Sequence, residues 1–313
     1  MPEHSLDSPG RACPLDYRYG AHALAAPSPL RADSLWIAGG LYGNTFALRE
    51  LEAMVAAERG EATLVFNGDF HWFDVDDGEF ARVEQGVARH AATRGNVETE
   101  VAQPHDGAGC GCAYPVWVGD EDVSRSNRII ERLRSTTRRA KGAVARLIAL
   151  PMFRTAEVGG QRIAIVHGDA DSLAGWGFSQ EMLATADGRK AALGWFAASG
   201  ASVFASSHTC LPVLQAFDGA RAIVNNGAAG MPNFAGTTYG LATRIALAPH
   251  PDALYRLRLG RAIIEAVPIR HDAKAWQAAF LAQWPEGSDA HASYWKRIVN
   301  GPGYGIDAAL RAA

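Results

Sequence analysis

Four short segments of this 313-residue sequence carry side chains of the kinds that hold a divalent metal. Asp69 follows Gly68, Asn96 follows Gly95, His167 opens His167-Gly168-Asp169, and His208 lies in Ser207-His208-Thr209-Cys210. Three of the four directly follow apolar, β-branched-rich stretches at 63–66, 162–166 and 202–206. Open α/β sheets bind ligands at the C-terminal ends of their strands, so an Asp, an Asn and two His placed there can converge on one ion. Oxygen and imidazole donors suit Mn, Zn or Fe better than Ca. The chemistry is metal binding, with the activation of water that a bound cation permits. Each residue also has a plain structural use: Asp69 in a turn, Asn96 as a turn or helix cap, and the two histidines as hydrogen-bonded core residues.

Other side chains are weaker candidates for the same site. His71 stands two residues after Asp69, and alternation in an extended segment would bring it alongside as an acid or a replacement ligand, or leave it packed beside Trp72. Asn44 can orient a phosphate through its amide. Cys110-Gly111-Cys112 admits three readings: thiol ligands together with Cys210, a redox pair, or buried structural thiols. A CxC spacing is tighter than the usual CxxC of structural zinc. Gly39-Gly40-Leu41-Tyr42-Gly43 fits neither GxGxxG nor GxxxxGK[ST], so dinucleotide and P-loop readings fall away. No GxSxG elbow supports a serine hydrolase.

The elements that must position these residues begin with a strand at 34–38, a helix at 45–59 and a strand ending at Phe66, a β-α-β unit that implies a parallel pair. Helices are expected over 77–93, 121–148 and 178–199 from their apolar spacing. The basic face of 121–148 reads as solvated helix surface. Gly159-Gly160 marks a hairpin between 152–158 and 161–166, and Asp218-Gly219 another within 213–225. Stretches 239–248 and 254–268 alternate like antiparallel strands. Strand–helix units followed by hairpins give an α/β fold of two packed sheets between helices, an α/β/β/α layering. The divisions expected are an irregular, proline-rich arm at 1–33, a main domain at 34–270, and a C-terminal helical extension at 271–313.

Apolar residues make up 48% of the chain and mean hydropathy is near zero, enough to build a core. The net charge of −3 gives no reason to expect nucleic acid or an anionic membrane as partner. Four cysteines are too few for a disulfide scaffold at this length, and the N-terminus has no signal-peptide core. With no run of about 18 apolar residues either, the expectation is a cytoplasmic protein with reduced thiols. Nothing in the sequence indicates an oligomeric state.

The order GD, GN, HG and then a GHxH-like segment resembles the calcineurin-like metallophosphoesterases, over roughly residues 34–260. Asn225-Asn226-Gly227 after a strand is similar to the segment that closes such domains. The resemblance implies the four-layer sandwich and a pair of metals. Asp69 would bridge the two, and Asn96, His167 and His208 would complete the second. The first metal's Asp-x-His falls on Gly40 and Tyr42, and its last histidine falls on Cys210. Val97 stands where the family often has a histidine that serves the leaving group. The resemblance therefore implies an atypical phosphoesterase with one or two divalent metals (Mn, Zn or Fe), hydrolysing a small phosphomonoester or phosphodiester by a metal-activated water. Asp69, His208 and His71 are its expected catalytic residues. The alternative is a weak or inactive protein on the same fold that binds metal or a phosphorylated ligand, with a cysteine-containing centre.

Overall fold

The computed structural model describes residues 8–27 and 30–311. Residues 1–7 and 28–29 of the expected N-terminal arm, and 312–313 at the other end, lie outside the described residues. In chain order the elements are β1 (Leu30–Arg31), β2 (Ser34–Ala38), α1 (Thr45–Ala56), β3 (Ala62–Asn67), α2 (Asp77–Val87), β4 (Ala91–Thr93), α3 (Asn96–Ala102), α4 (Asp120–Arg139) and α5 (Ala143–Ile148). Then come β5 (Phe153–Val158), β6 (Gln161–Val166), α6 (Gln180–Ala184), α7 (Ala186–Ser199), β7 (Val203–Ser206), β8 (Pro212–Asp218) and β9 (Arg221–Asn226). The chain ends with β10 (Gly240–Ala246), β11 (Tyr255–Leu259), β12 (Ala262–Ile269), α8 (Ala273–Gln283), α9 (Asp289–Asn300) and β13 (Leu310–Arg311).

Two mixed sheets result. One runs β1-β5-β6-β7-β9-β8-β13 and the other β11-β12-β10-β2-β3-β4. The period-two alternation of side chains builds the layers. Leu35 and Ile37 of β2 meet Ile163 and Ile165 of β6 in a core between the sheets. Their neighbours Trp36 and Ala38 face outward, under Leu51, Phe80, Ile129, Leu133 and Phe280 of the helices. On the far side, Ala164 and Val166 face Leu183 of α6 and Phe196 of α7. The order is α/β/β/α, as the sequence predicts.

Four expectations are corrected in detail. The helix expected over 77–93 ends at Val87, and Ala91–Thr93 instead pairs in parallel with 65–67 of β3. Three residues, two of them alanine, are too short a strand to display a period of two. The helix expected over 121–148 breaks into α4 and α5 at Gly142, whose φ is 80°. The helix expected over 178–199 is split by Thr185, whose hydroxyl caps α7 through the Gly188 N–H. The stretch 254–268 is a hairpin, turning at Gly260 between β11 and β12. No helix of the described residues is long and apolar enough to cross a membrane.

Candidate metal centre

The strands that end at one edge of the sandwich deliver the four candidates. Asp69 follows β3, Asn96 opens α3 just after β4, His167 follows β6, and His208 follows β7. Two come from each sheet, and β4, unseen in the sequence, supplies the fourth strand end. Among the described residues, the group of His, Cys, Asp and Glu side chains whose ligand atoms all lie within 4.8 Å of one another is Asp69, His167 and His208, all buried. Asn96 joins them through Oδ1, 3.0 Å from His167 Nε2. That same nitrogen lies 3.3 Å from Asp69 Oδ1 and 3.1 Å from His208 Nδ1. Gly68 permits the approach of the two loops. Its φ is 92°, and a Cβ there would lie 2.6 Å from His167 Nδ1 and 2.7 Å from the backbone of Gly95.

Backbone carbonyls fix which atoms face inward. His167 Nδ1 donates to the Asn67 carbonyl at 2.9 Å, so in the neutral ring Nε2 carries the inward lone pair. His208 Nε2 donates to the Cys112 carbonyl at 3.0 Å, which leaves Nδ1 as its inward lone pair. Asn96 Nδ2 donates to the Cys110 carbonyl at 3.0 Å, which turns Oδ1 inward. Four electron-rich atoms therefore converge, each steered from behind, as in metal sites whose outer partners orient the ligands. Burial pushes His167 down, but the Asp69 carboxylate, with the Asn67 carbonyl and Glu98, outweighs it and the net shift is up. Burial and the charge of His167 push His208 down to about 3. The pair thus carries one positive charge at most, beside an anion. A divalent cation fits this donor set, and oxygen with imidazole nitrogen suits Mn, Zn or Fe.

No protein-family model matches the chain, and no curated protein does. Solved structures do. A metallophosphoesterase from Sphaerobacter thermophilus superposes with a TM-score of 0.53 and 18% identity, covering 87% of this chain and 100% of that one. A hypothetical protein, PH1004, from Pyrococcus horikoshii OT3 superposes with a TM-score of 0.56 and 13% identity, covering 87% and 99%. This is the metallophosphoesterase fold.

On that fold, the places where the resemblance puts the first metal's missing ligands are filled by a contact of this chain's own. The Tyr42 hydroxyl and Cys210 Sγ are 2.8 Å apart. Gly40 is needed for this: a Cβ on it would lie 2.9 Å from the Tyr42 ring. A side chain at 40 would displace the Tyr42 ring from this contact, and the positive φ of Gly40, 64°, favours glycine there as well. Among the described residues, the non-glycine positions with positive φ are Tyr42, Asp69, Ala113 and Cys210. Three line one cavity and the fourth adjoins Cys112, which lines it too. Strained backbone gathered at one site is typical of functional regions.

Several expected site residues lie elsewhere. His71 is fully buried with Nδ1 2.5 Å from Asp74 and Nε2 2.8 Å from Glu84, and its ring stacks on Phe80. Burial opposes its charge, but the two carboxylates win and raise it to about 10. It is a structural imidazolium, not a residue of the cavity. Cys210 lines the cavity, but its sulfur is outside the ligand group, and burial pushes its thiol up. Cys110 and Cys112 are joined to each other as a disulfide, so the expectation of reduced thiols and thiolate ligands fails for both. What this loop gives the centre is its two carbonyls.

Asn44 is not a phosphate ligand in this arrangement. Its Oδ1 caps α1 by accepting from Phe46 N and Ala47 N, and its Nδ2 bonds the Gly230 carbonyl and His271. The N–H groups of Gly40, Tyr42 and Gly43 are likewise spent on the carbonyls of Gly68, Asp69 and Phe70. Asn44→Ala is expected to lower stability by about 2 kcal/mol, the upper end for a lost cap, while leaving metal affinity unchanged. Urea denaturation and a metal titration on the same variant check it. A weakened metal affinity at unchanged stability would return Asn44 to the site.

The cavity beside the four candidates holds about 190 Å³. Its wall includes Trp72, Tyr114, Trp176, Tyr294 and Arg297, none of them singled out by a motif. Arg297 donates to the Cys210 and Pro232 carbonyls, which pins α9 over the site. Val97 sits in the wall as well. Of the aromatic residues late in the chain, Tyr294 reaches the cavity, whereas Trp276 and Trp284 pack into the core.

Proposed function

We propose that this protein is a hydrolase of small phosphoesters that works with a single divalent cation held by Asp69, Asn96, His167 and His208. The observation that carries the reading is the inward convergence of four electron-rich atoms, each fixed from behind, on the metallophosphoesterase fold. When bound, such an ion supplies Lewis acidity, polarising a phosphoryl oxygen and making a water more acidic. The chain's own residues do the rest. Asp69 contributes the one formal negative charge among the four. Arg297 brings a guanidinium to the same cavity, where it can balance phosphoryl charge. Trp72, Tyr114 and Trp176 keep bulk water from the reacting centre. The Tyr42–Cys210 contact stands where a second ion would need ligands, which supports one metal rather than two.

Metal content by mass spectrometry, measured with hydrolysis of a phosphomonoester and a phosphodiester, tests the reading. The expected result is about one metal per chain and turnover that a chelator abolishes and added metal restores. No metal under any loading condition would sink it. A second reading, a phosphate-ligand binder without turnover, is favoured by one observation. Apart from Asp69 and His208, no carboxyl or imidazole is found among the described residues that line the cavity. One bound metal with no turnover on either substrate would select that second reading.

A further inference from the structure

We propose that the ligand of this site is an aryl phosphoester, whose flat ring occupies the aromatic cavity while its phosphoryl group lies at Asp69, Asn96 and His208. The inference rests on the phosphoester reading above and names its substrate class.

Size and chemistry of the walls point the same way. A cavity of about 190 Å³ suits a single ring. Its ligand-bearing wall is polar, whereas Trp72, Tyr114, Trp176 and Tyr294 form an aromatic one. Aromatic faces and edges favour a flat aromatic guest over an aliphatic one of equal size. Outward, the wall continues as an apolar approach. The Trp176 ring lies 5.4 Å from that of His208, 6.0 Å from Tyr114 and 6.3 Å from Trp117. Trp117 is 53% exposed and its neighbour Val116 57%.

The leaving group supplies an independent argument. Water adds to phosphorus, the bond from phosphorus to the ester oxygen breaks with its electron pair on that oxygen, and one proton of the water passes to solvent. An aliphatic alkoxide, about as basic as hydroxide itself, must be protonated as it leaves. A phenolate, with a conjugate acid near about 10 as in tyrosine, departs unassisted. Val97 lies in the cavity, and Asp69 and His208 are committed as ligands. A site without a free carboxyl or imidazole is therefore matched to a leaving group that needs no acid.

The test compares phenylphosphonate with methylphosphonate, neither of which can be hydrolysed at phosphorus–carbon, by calorimetry on the metal-loaded protein. Ring-induced chemical shifts from phenylphosphonate on the metal-free protein give a second readout. Phenylphosphonate should bind roughly tenfold to a hundredfold tighter, as expected for burying one ring. Trp176→Leu should narrow that gap, and phenyl phosphate should turn over faster than methyl phosphate. Equal affinity for the two phosphonates overturns the aryl inference and leaves the phosphoesterase reading intact if turnover is present. Binding of neither by the metal-loaded protein overturns both. A strong phenyl preference without turnover keeps the cavity assignment and removes the hydrolase reading. Because the comparison is made first on the parent chain, a Trp176 variant that does not fold leaves it decisive.

Discussion

Asp69→Asn should fold as well as the parent chain and lose its divalent metal. Asparagine has the same shape, and it tolerates the left-handed backbone that Asp69 adopts at φ 53°. The retained oxygen can still accept the Val97 N–H, now 3.3 Å from Asp69 Oδ1. The substitution also removes a negative charge from beside the buried Glu98, whose carboxyl is pushed up by burial and then by Asp69. Without metal, the parent holds the buried carboxyls of Asp69 and Glu98 side by side, a repulsion the amide relieves. Stability of the metal-free variant should therefore equal or exceed that of the parent, the usual direction when a functional carboxylate is neutralised. Metal affinity should fall by more than the roughly 10–100-fold that losing an outer-shell partner costs. The readout is melting temperature with and without metal. At a thousandfold excess over its Kd, metal stabilises the parent by about 4 kcal/mol, a rise of several degrees, and the variant by nothing measurable. A variant that keeps the metal-dependent rise would remove Asp69 from the site.

The ligand candidates were legible because strand ends are legible. Apolar β-branched runs broken by Gly-Asp or His-Gly mark where parallel strands stop, and parallel strands of two packed sheets stop at a shared edge. His71 failed for a definite reason. The alternation argument needs extended backbone from 69 to 71, and the left-handed turn at Asp69 breaks it, sending the ring to Asp74 and Glu84. Asn44 carried a readable signal, an Asn directly before a periodic apolar stretch, which is a helix cap before it is anything else. The Cys110–Cys112 loop was noticed for its sulfurs, but its carbonyls aim Asn96 and His208. A backbone carbonyl leaves no trace in residue type. The aromatic wall was out of reach altogether: Trp72, Trp176 and Tyr294 are brought together from positions more than a hundred residues apart, with no spacing to reveal them.

Glu98→Ala should harm the molecule more than loss of any one ligand. Glu98 is fully buried, and its carboxylate receives N–H groups from both loops that carry the candidate oxygen ligands. Oε2 accepts from Asp69 N and Gly95 N, each at 2.8 Å, and Oε1 from Phe70 N at 3.0 Å and His71 N at 3.4 Å. Removing it orphans up to four buried donors at about 1–3 kcal/mol each, comparable with the whole stability of a typical domain, about 5–15 kcal/mol. Loss of soluble protein, or a collapse of the urea midpoint, is the expected result. Glu98→Gln is the sharper probe, because its length is kept and one oxygen remains. Its NH2 group must face N–H donors that it cannot satisfy, so either the 68–71 loop or Gly95 has to move. Asp69 and Asn96 then lose the register that brings both to His167. Metal affinity should fall about 10–100-fold in a chain that still folds, the range for an outer-shell partner. An intact affinity in folded Glu98→Gln would mean that the two loops hold their positions without the clamp. In that case the close approach at Gly68 alone sets the geometry of the centre.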